Sequence, residues 1–319
     1  MAQQSDVLRS PRENDRPGNR ADALLHAAER NVLLSTPGFW TRAWRRFRRN
    51  KVSMVAMLLM AVIIIFVMSA PLVARWTGFG YEQTQLRNTL RGPFSPDHLL
   101  GTDAVGRDIL VRLAYGGRIS LLVAGLAATI TLVIGATVGA VAGYFGGFID
   151  SVLMRMVDVL LCIPTFSLLI LVSTLYQPGP AGLAVILAIF GWTGLARLIR
   201  GEVLSLRSRD YVEAARVVGS SNGRVIFRHI IPNVVPIMVI WISLAIPSLI
   251  LTEAALSFLG FGVRVPTPSW GNMLDGAKDY YTKSWTNVFI PGFAIYLTVL
   301  AINLVGNGLR DALDPRLNE

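Results

Sequence analysis

Residues 119–149 read ISLLVAGLAATITLVIGATVGAVAGYFGGFI, a run without a single Asp, Glu, Lys or Arg. A helix that crosses a bilayer needs about 20 largely apolar residues. A helix of a water-soluble domain keeps a polar face along its length. This run has none, so lipid is its natural solvent. Working outward, residues 52–74, 159–196, 230–252 and 284–309 are equally free of charge. The stretch 159–196 is long enough for two crossings, with Gln177-Pro178-Gly179-Pro180 as the turn between them. The expectation is an all-α integral membrane protein with six transmembrane helices. Composition agrees: 53% of the chain is hydrophobic and 16% charged, against ~25% charged in soluble domains.

The remaining charge is asymmetric. The net charge of +10 invites a nucleic-acid partner, but Arg42, Arg45, Arg46, Arg48, Arg49 and Lys51 stand directly before the first apolar stretch, where the positive-inside rule places cytoplasmic cations. Topology accounts for them and no nucleic acid is expected. Cys162 is alone, and His26, His98 and His229 are scattered, so neither a disulfide framework nor a metal site is expected. The first apolar stretch opens only at Val52 behind a polar leader, which reads as a retained anchor rather than a cleaved signal.

Residues 1–37 read as a disordered cytoplasmic tail. Residues 38–51 place Trp40, Trp44 and Phe47 on one helical face among arginines, the pattern of an interfacial amphipathic helix. Residues 52–74 form the first span and 75–118 an extracytoplasmic loop. Residues 119–319 make the core, with spans expected at about 119–143, 156–176, 182–198, 233–254 and 287–308. The loop 197–229 carries seven arginines against three acids, whereas the turn between spans three and four carries no charge. Both counts put the N- and C-termini in the cytoplasm. In span two, Gly135, Gly139, Gly143 and Gly147 recur every four residues, extended backwards by Thr131 and Ala127, a face on which another helix packs closely. Pro164, Pro236, Pro247 and Pro291 break helices within the spans, which lipid tolerates only where neighbours or water satisfy the freed carbonyls.

No Walker A loop can be built around Lys51, Lys278 or Lys283, because the residues before them are Asn50, Ala277 and Thr282. No catalytic residue and no cofactor is expected in this chain. The segment 208–232 offers a protrusion for a partner. Asp210 is expected to cap a helix over Tyr211–Val218, Gly219 to end it, and Ser220, Ser221 or Asn222 to start a second short helix before Pro232.

Here the residues carry a resemblance. Glu213-Ala214-Ala215, with Gly219 and Pro232 at their spacings, is similar to the EAA loop of binding-protein-dependent ABC importer permeases. His229 and Ile231 depart from it. Leu100 to Asp108, Ala142 to Gly147, Leu256 to Gly262, Pro266 to Gly271 and Gly308 to Pro315 resemble signatures of the dipeptide/oligopeptide/nickel branch and its C-type subunit, with Asn307 in place of an expected Asp. The resemblance spans about residues 38–317. It implies an ABC type I importer permease fold in a bacterial inner membrane and a heterodimer with a homologous permease. It also implies two ABC ATPase subunits that bind ATP and Mg, an extracytoplasmic binding protein, and a dipeptide or oligopeptide as cargo. A nickel chelate, glutathione or an opine are the alternative cargoes. By the same resemblance, Glu213, Ala214, Ala215, Gly219 and Pro232 form the ATPase-coupling loop. Asp97, Gly101, Asp103, Gly106, Arg107 and Asp108 shape the entrance and meet the binding protein. Glu253, just past a charge-free stretch, is expected at the outer end of span five, in a water-filled gate or vestibule where it meets a peptide's amino terminus, or else paired with Arg264 or a partner-chain arginine, or solvated in the headgroup zone. The competing class is an ion-coupled secondary transporter using Asp158 and Glu253, since such carriers keep ionisable groups within the membrane.

Overall fold

The computed structural model describes residues 38–313; the expected tail over 1–37 and the last residues of the C-terminal signature lie outside them. Two compact units divide after Arg46. The first contributes the beginning of α1 (Phe39–Arg49), the helix expected before the first span. All that follows concerns the second.

Five helices among the described residues are long and apolar enough to cross a membrane, and a bent pair brings the number to six if it counts as one span. Helix α2 (Lys51–Met68) is capped by the Asn50 side chain, which accepts from the amides of Val52 and Ser53 at 3.1 and 3.2 Å. It breaks at Ser69 and continues as α3 (Ala70–Thr77), stopped by Gly78 in the left-handed conformation.

Helix α4 (Ile109–Phe145) starts ten residues before the expected 119. The charge-free criterion counted Arg112 as loop, but the helix accommodates it: its guanidinium lies 3.6 Å from Asp103 and donates to the Tyr81 carbonyl. At 1.5 Å per residue α4 is roughly 55 Å long, well beyond the ~30 Å hydrocarbon layer.

Helix α7 (Pro180–Leu206) likewise runs eight residues past its expected end. It packs along α4 through the small-residue stripe. A Cβ on Gly135 would meet Leu195 at 2.9 Å, one on Gly139 the Ala196 carbonyl at 2.5 Å, and one on Gly143 the Arg200 carbonyl at 2.8 Å. The stripe is therefore a packing seam, and it ends at Gly143: nothing lies near Gly147, which takes φ +54 at the start of the next helix.

Span three is not one helix. Helix α5 (Gly147–Cys162) and helix α6 (Thr165–Tyr176) meet at 82° across Ile163-Pro164. Proline has no amide hydrogen, and the residue before it disfavours the helical region; Ile163 is accordingly extended. Two acids of α5 pair with arginines of α7. Asp150 receives the Arg200 guanidinium at 2.5 and 2.6 Å, and Asp158 is bonded to Arg197.

After the short helix α8 (Asp210–Val217), helix α9 (Asn222–Phe258) runs unbroken into the membrane. The second short helix expected before Pro232 is thus the first turn of span five. A π turn over Ile226–Ile230 absorbs Pro232, whose ring clashes with the carbonyl one turn back in a regular helix. Helix α10 (Trp270–Asp275) carries a capping box between Ser269 and Asn272, and α11 (Thr286–Leu313) closes the bundle. Trp270 is buried with Val67, Leu113, Ile250 and Ile295, its indole N–H donating to the Leu113 carbonyl at 2.9 Å.

Candidate functional site

The EAA-like segment forms helix α8 and its exit. Arg209, not Asp210, is the N-cap: it is the extended residue, while Asp210 already lies in the first turn. There its charge still favours the helix N-terminus. The other end follows expectation. Gly219 has φ +84, the Ser220 amide donates to the Ala215 carbonyl at 3.0 Å, and the Gly219 amide donates to Arg216 at 2.9 Å. That is a Schellman ending, which favours glycine at the left-handed position.

Val212 is the anchor of α8. It is buried with Val225 and Ile230 of α9, Leu195, Ile199 and Val203 of α7, and Tyr144 of α4. The Tyr144 hydroxyl lies 2.9 Å from Asn222 Oδ1, and the Arg216 guanidinium sits 5.0 Å from the Tyr144 ring centre. One face of α8 is thereby tied to three long helices. The other is bare: Glu213 and Ala214 are exposed, and Val217 and Val218 are 88% and 85% exposed. Two valines at the tip of a firmly held helix form an apolar surface that none of the described residues covers. Ala215 is half-buried against the core, and Pro232 lies just beyond the π turn.

The outer segment is an ordered cap. Asp103 accepts from the amides of Val105 and Arg107 at 3.0 and 2.9 Å and from the Arg107 side chain at 2.7 Å. Asp108 caps α4 through the Val111 amide and holds buried His98 at 2.8 Å, and Phe79 stacks on that imidazole. Gly101 and Gly106 take φ +86 and +77 pressed against backbone. Gly101, Gly106 and Asp108, expected at a partner contact, are buried and build the loop instead. Asp97 is exposed, as are Phe94 and Leu99 beside it. Across the same face Asp275 bonds Lys278 at 2.7 Å and holds that ammonium above its ordinary pKa.

Glu253 does not line a vestibule within this chain. It is 0% exposed, and its carboxylate receives the hydroxyls of Ser120 at 2.9 Å and Ser257 at 2.7 Å. Its partners are serines rather than Arg264, which is exposed. The Trp270 amide donates to Ser120 and the Val263 amide to Ser257. Burial made hydrogen bonding compulsory, and the result is a polar clamp joining α4, α9 and α10.

Residues 135–319 match the family described as the binding-protein-dependent transport system inner membrane component. The chain belongs to this family. Residues 38–93 match the N-terminal transmembrane domain of oligopeptide transport permease C. An oligopeptide transport system permease of Haemophilus influenzae is 41% identical over 93% of this chain and 95% of its own length. A dipeptide transport system permease of Alkalihalophilus pseudofirmus is 38% identical over 87% of this chain and 90% of its own. A glutathione transport system permease of Pectobacterium atrosepticum is 40% identical over 90% and 94%. The fold is accordingly that of the multi-pass inner-membrane permeases of ABC importers.

Sequence reasoning missed several residues of this permease. Tyr144 stood in a quoted signature, but nothing in its spacing points to Asn222. His98 looked isolated because its partner is ten residues away in a loop without periodicity. Val217 and Val218 pass as helix filler until the burial of Val212 shows which face is left over.

Proposed function

We propose that this permease is one of two pore-forming subunits of an ATP-driven peptide importer. ATP and Mg are bound by two separate ATPase chains that dock on α8, and an extracytoplasmic binding protein delivers the peptide to the opposite face. The observation that carries this reading is the apolar tip at Val217 and Val218, on a helix whose other face is locked to α4, α7 and α9. A rigid lever needs both a partner surface and a stiff root, because a two-state packing transmits force only through elements that move as bodies. The names of the relatives (oligopeptide, dipeptide, glutathione) supply the cargo class, since all are peptides. Among the outer-loop residues, Asp97 with exposed Phe94 and Leu99 is the surface offered to the binding protein. Asp103 and Arg107 bond each other within the turn. The α8 end and both termini face the cytoplasm in this reading, which the arginine distribution supports.

No observation favours the ion-coupled carrier. Asp158 is paired with Arg197 and Glu253 is sealed by two serines. The test is the double substitution Val217→Asp and Val218→Asp in the assembled complex. Both positions are exposed, so insertion and pairing with the second permease should be unchanged. Peptide uptake should fall at least about tenfold, the loss expected when charge enters the apolar centre of an interface. Wild-type uptake by that variant would retire α8 as the docking element.

A further inference from the structure

A cavity of about 390 Å³ opens at the end of the molecule opposite α8, between the loop that leads into α4 and the segment that links α10 to α11. One side of its wall carries Asp103, Arg107 and Arg112, the other Asp275, Lys278 and Asp279. Its size falls among the ~300–1,000 Å³ of sites that hold small molecules. A single acidic side chain of a partner protein would leave most of it empty.

Arg112 is the group that asks for a ligand. It stands in the first turn of α4 and is 2% exposed. A guanidinium has five N–H donors, and a buried donor left unused is costly. Among the described residues only the Tyr81 carbonyl bonds it, accepting from Nη1 at 3.3 Å. Nε is 3.6 Å from Asp103 Oδ2, beyond hydrogen-bond range, and that carboxylate already receives the Arg107 side chain at 2.7 Å. One acid thus stands against two guanidiniums on this side of the wall. Nη2 bonds none of the described residues, yet it is not sealed. The side-chain atoms that are both buried and unpartnered among the described residues are Ser95 Oγ, His98 Nε2, Thr131 Oγ1, Ser173 Oγ and Asn287 Oδ1. The open space in front of Nη2 is the cavity that Arg112 lines.

The opposite wall supplies the other sign. Asp275 and Lys278 bond each other at 2.7 Å. Asp279 is exposed and forms no ion pair among the described residues. The cavity therefore offers the unused donors of a buried cation within and an unpaired carboxylate at its rim.

We propose that this cavity binds the peptide as a zwitterion on the permease itself, with its C-terminal carboxylate on the Arg112 guanidinium and its amino terminus toward Asp279. The choice of ligand rests on the peptide-importer reading. A carboxylate matches the planar edge of a guanidinium with two parallel hydrogen bonds, and the edge formed by Nε and Nη2 is the unbonded one here. Every unblocked peptide carries both charged ends, so the site reads termini rather than side chains.

The test uses the complex of both permeases and both ATPases in detergent, with no binding protein, and follows the heat of peptide binding. Trialanine should bind saturably. Trialanine C-terminal amide and N-acetyl-trialanine should each bind about tenfold more weakly, the loss expected for one hydrogen bond to a charged group. Asp279→Asn, at an exposed position, should weaken trialanine about tenfold and leave the affinity of N-acetyl-trialanine unchanged. Arg112→Lys keeps the charge and loses the planar edge, so it should weaken trialanine and leave the amide unchanged. If that variant fails to assemble, the three peptides on the wild-type and Asp279→Asn complexes still decide. No binding of trialanine, or equal affinities for trialanine and its amide, would overturn the inference. Trialanine binding that neither substitution weakens would place the peptide elsewhere and overturn it too. So would absent peptide binding combined with weaker docking of the unloaded binding protein on Arg112→Lys, which would assign the guanidinium to an acidic side chain of that partner. Failure of the complete complex to import trialanine with ATP, while trialanine still binds, would overturn the importer reading and not this site.

Discussion

Glu253 shows what a single buried carboxylate does when it has no cation. Its two oxygens are each met by a serine hydroxyl, and those serines in turn accept amides from the segment around α10. Removing the carboxyl leaves Ser120 and Ser257 short of an acceptor in a dry place, at a cost of about 1–3 kcal/mol. Glu253→Leu should therefore lower the thermal midpoint of the purified complex by several degrees. Glu253→Gln keeps an acceptor oxygen and should lose less. Neither should change the preference for peptides with a free amino terminus. A selective loss of such peptides in Glu253→Gln, with the thermal midpoint unchanged, would restore the gate reading. The position of this residue was legible, five residues from the end of α9, but its surroundings were not. Ser120 lies 133 residues away in sequence, and a serine carries no pattern that names its partner.

At the scale of elements, the legible features were those with a period. The stripe at 131, 135, 139 and 143 announced a close helix pair, and α4 with α7 is that pair. Gly139→Val puts a carbon at 2.5 Å from the Ala196 carbonyl, inside any tolerable contact. The helix pair cannot close around it. We expect little intact permease in the membrane fraction from that variant, whereas Gly125→Val, at a position with open space, should accumulate normally. Normal levels of both would remove the seam from the account. Gly219 was equally readable, because a left-handed helix ending asks for glycine and the Schellman bonds are there. The ends of helices were less so. α4 and α7 extend past their charge-free runs because Asp103 meets Arg112 and Asp150 and Asp158 meet arginines of α7, pairings between elements that a count along one element does not see. The Asp210 cap failed for a related reason. The residue that is extended after α7 is Arg209, and Val212 enters the core from that start.

Across the whole molecule, the two ends are built differently. One end is a cap of tight turns closed by Asp103, Asp108 and His98, with Phe94, Asp97 and Leu99 outermost. The other is a lever, α8, held by Tyr144 and Val212 and bare at Val217 and Val218. Between them lies a cleft whose lining residues include no Asp, Glu, Lys or Arg. In the proposed function, force enters at the α8 end and the cargo at the opposite cap. The most direct measurement is uptake of labelled trialanine into proteoliposomes by the permease alone and by the complete complex with ATP. The account predicts uptake only by the complete complex, dependent on ATP hydrolysis and on the binding protein, and unchanged when proton and sodium gradients are collapsed. Uptake by this permease without ATPase chains, driven by an imposed ion gradient, would contradict it.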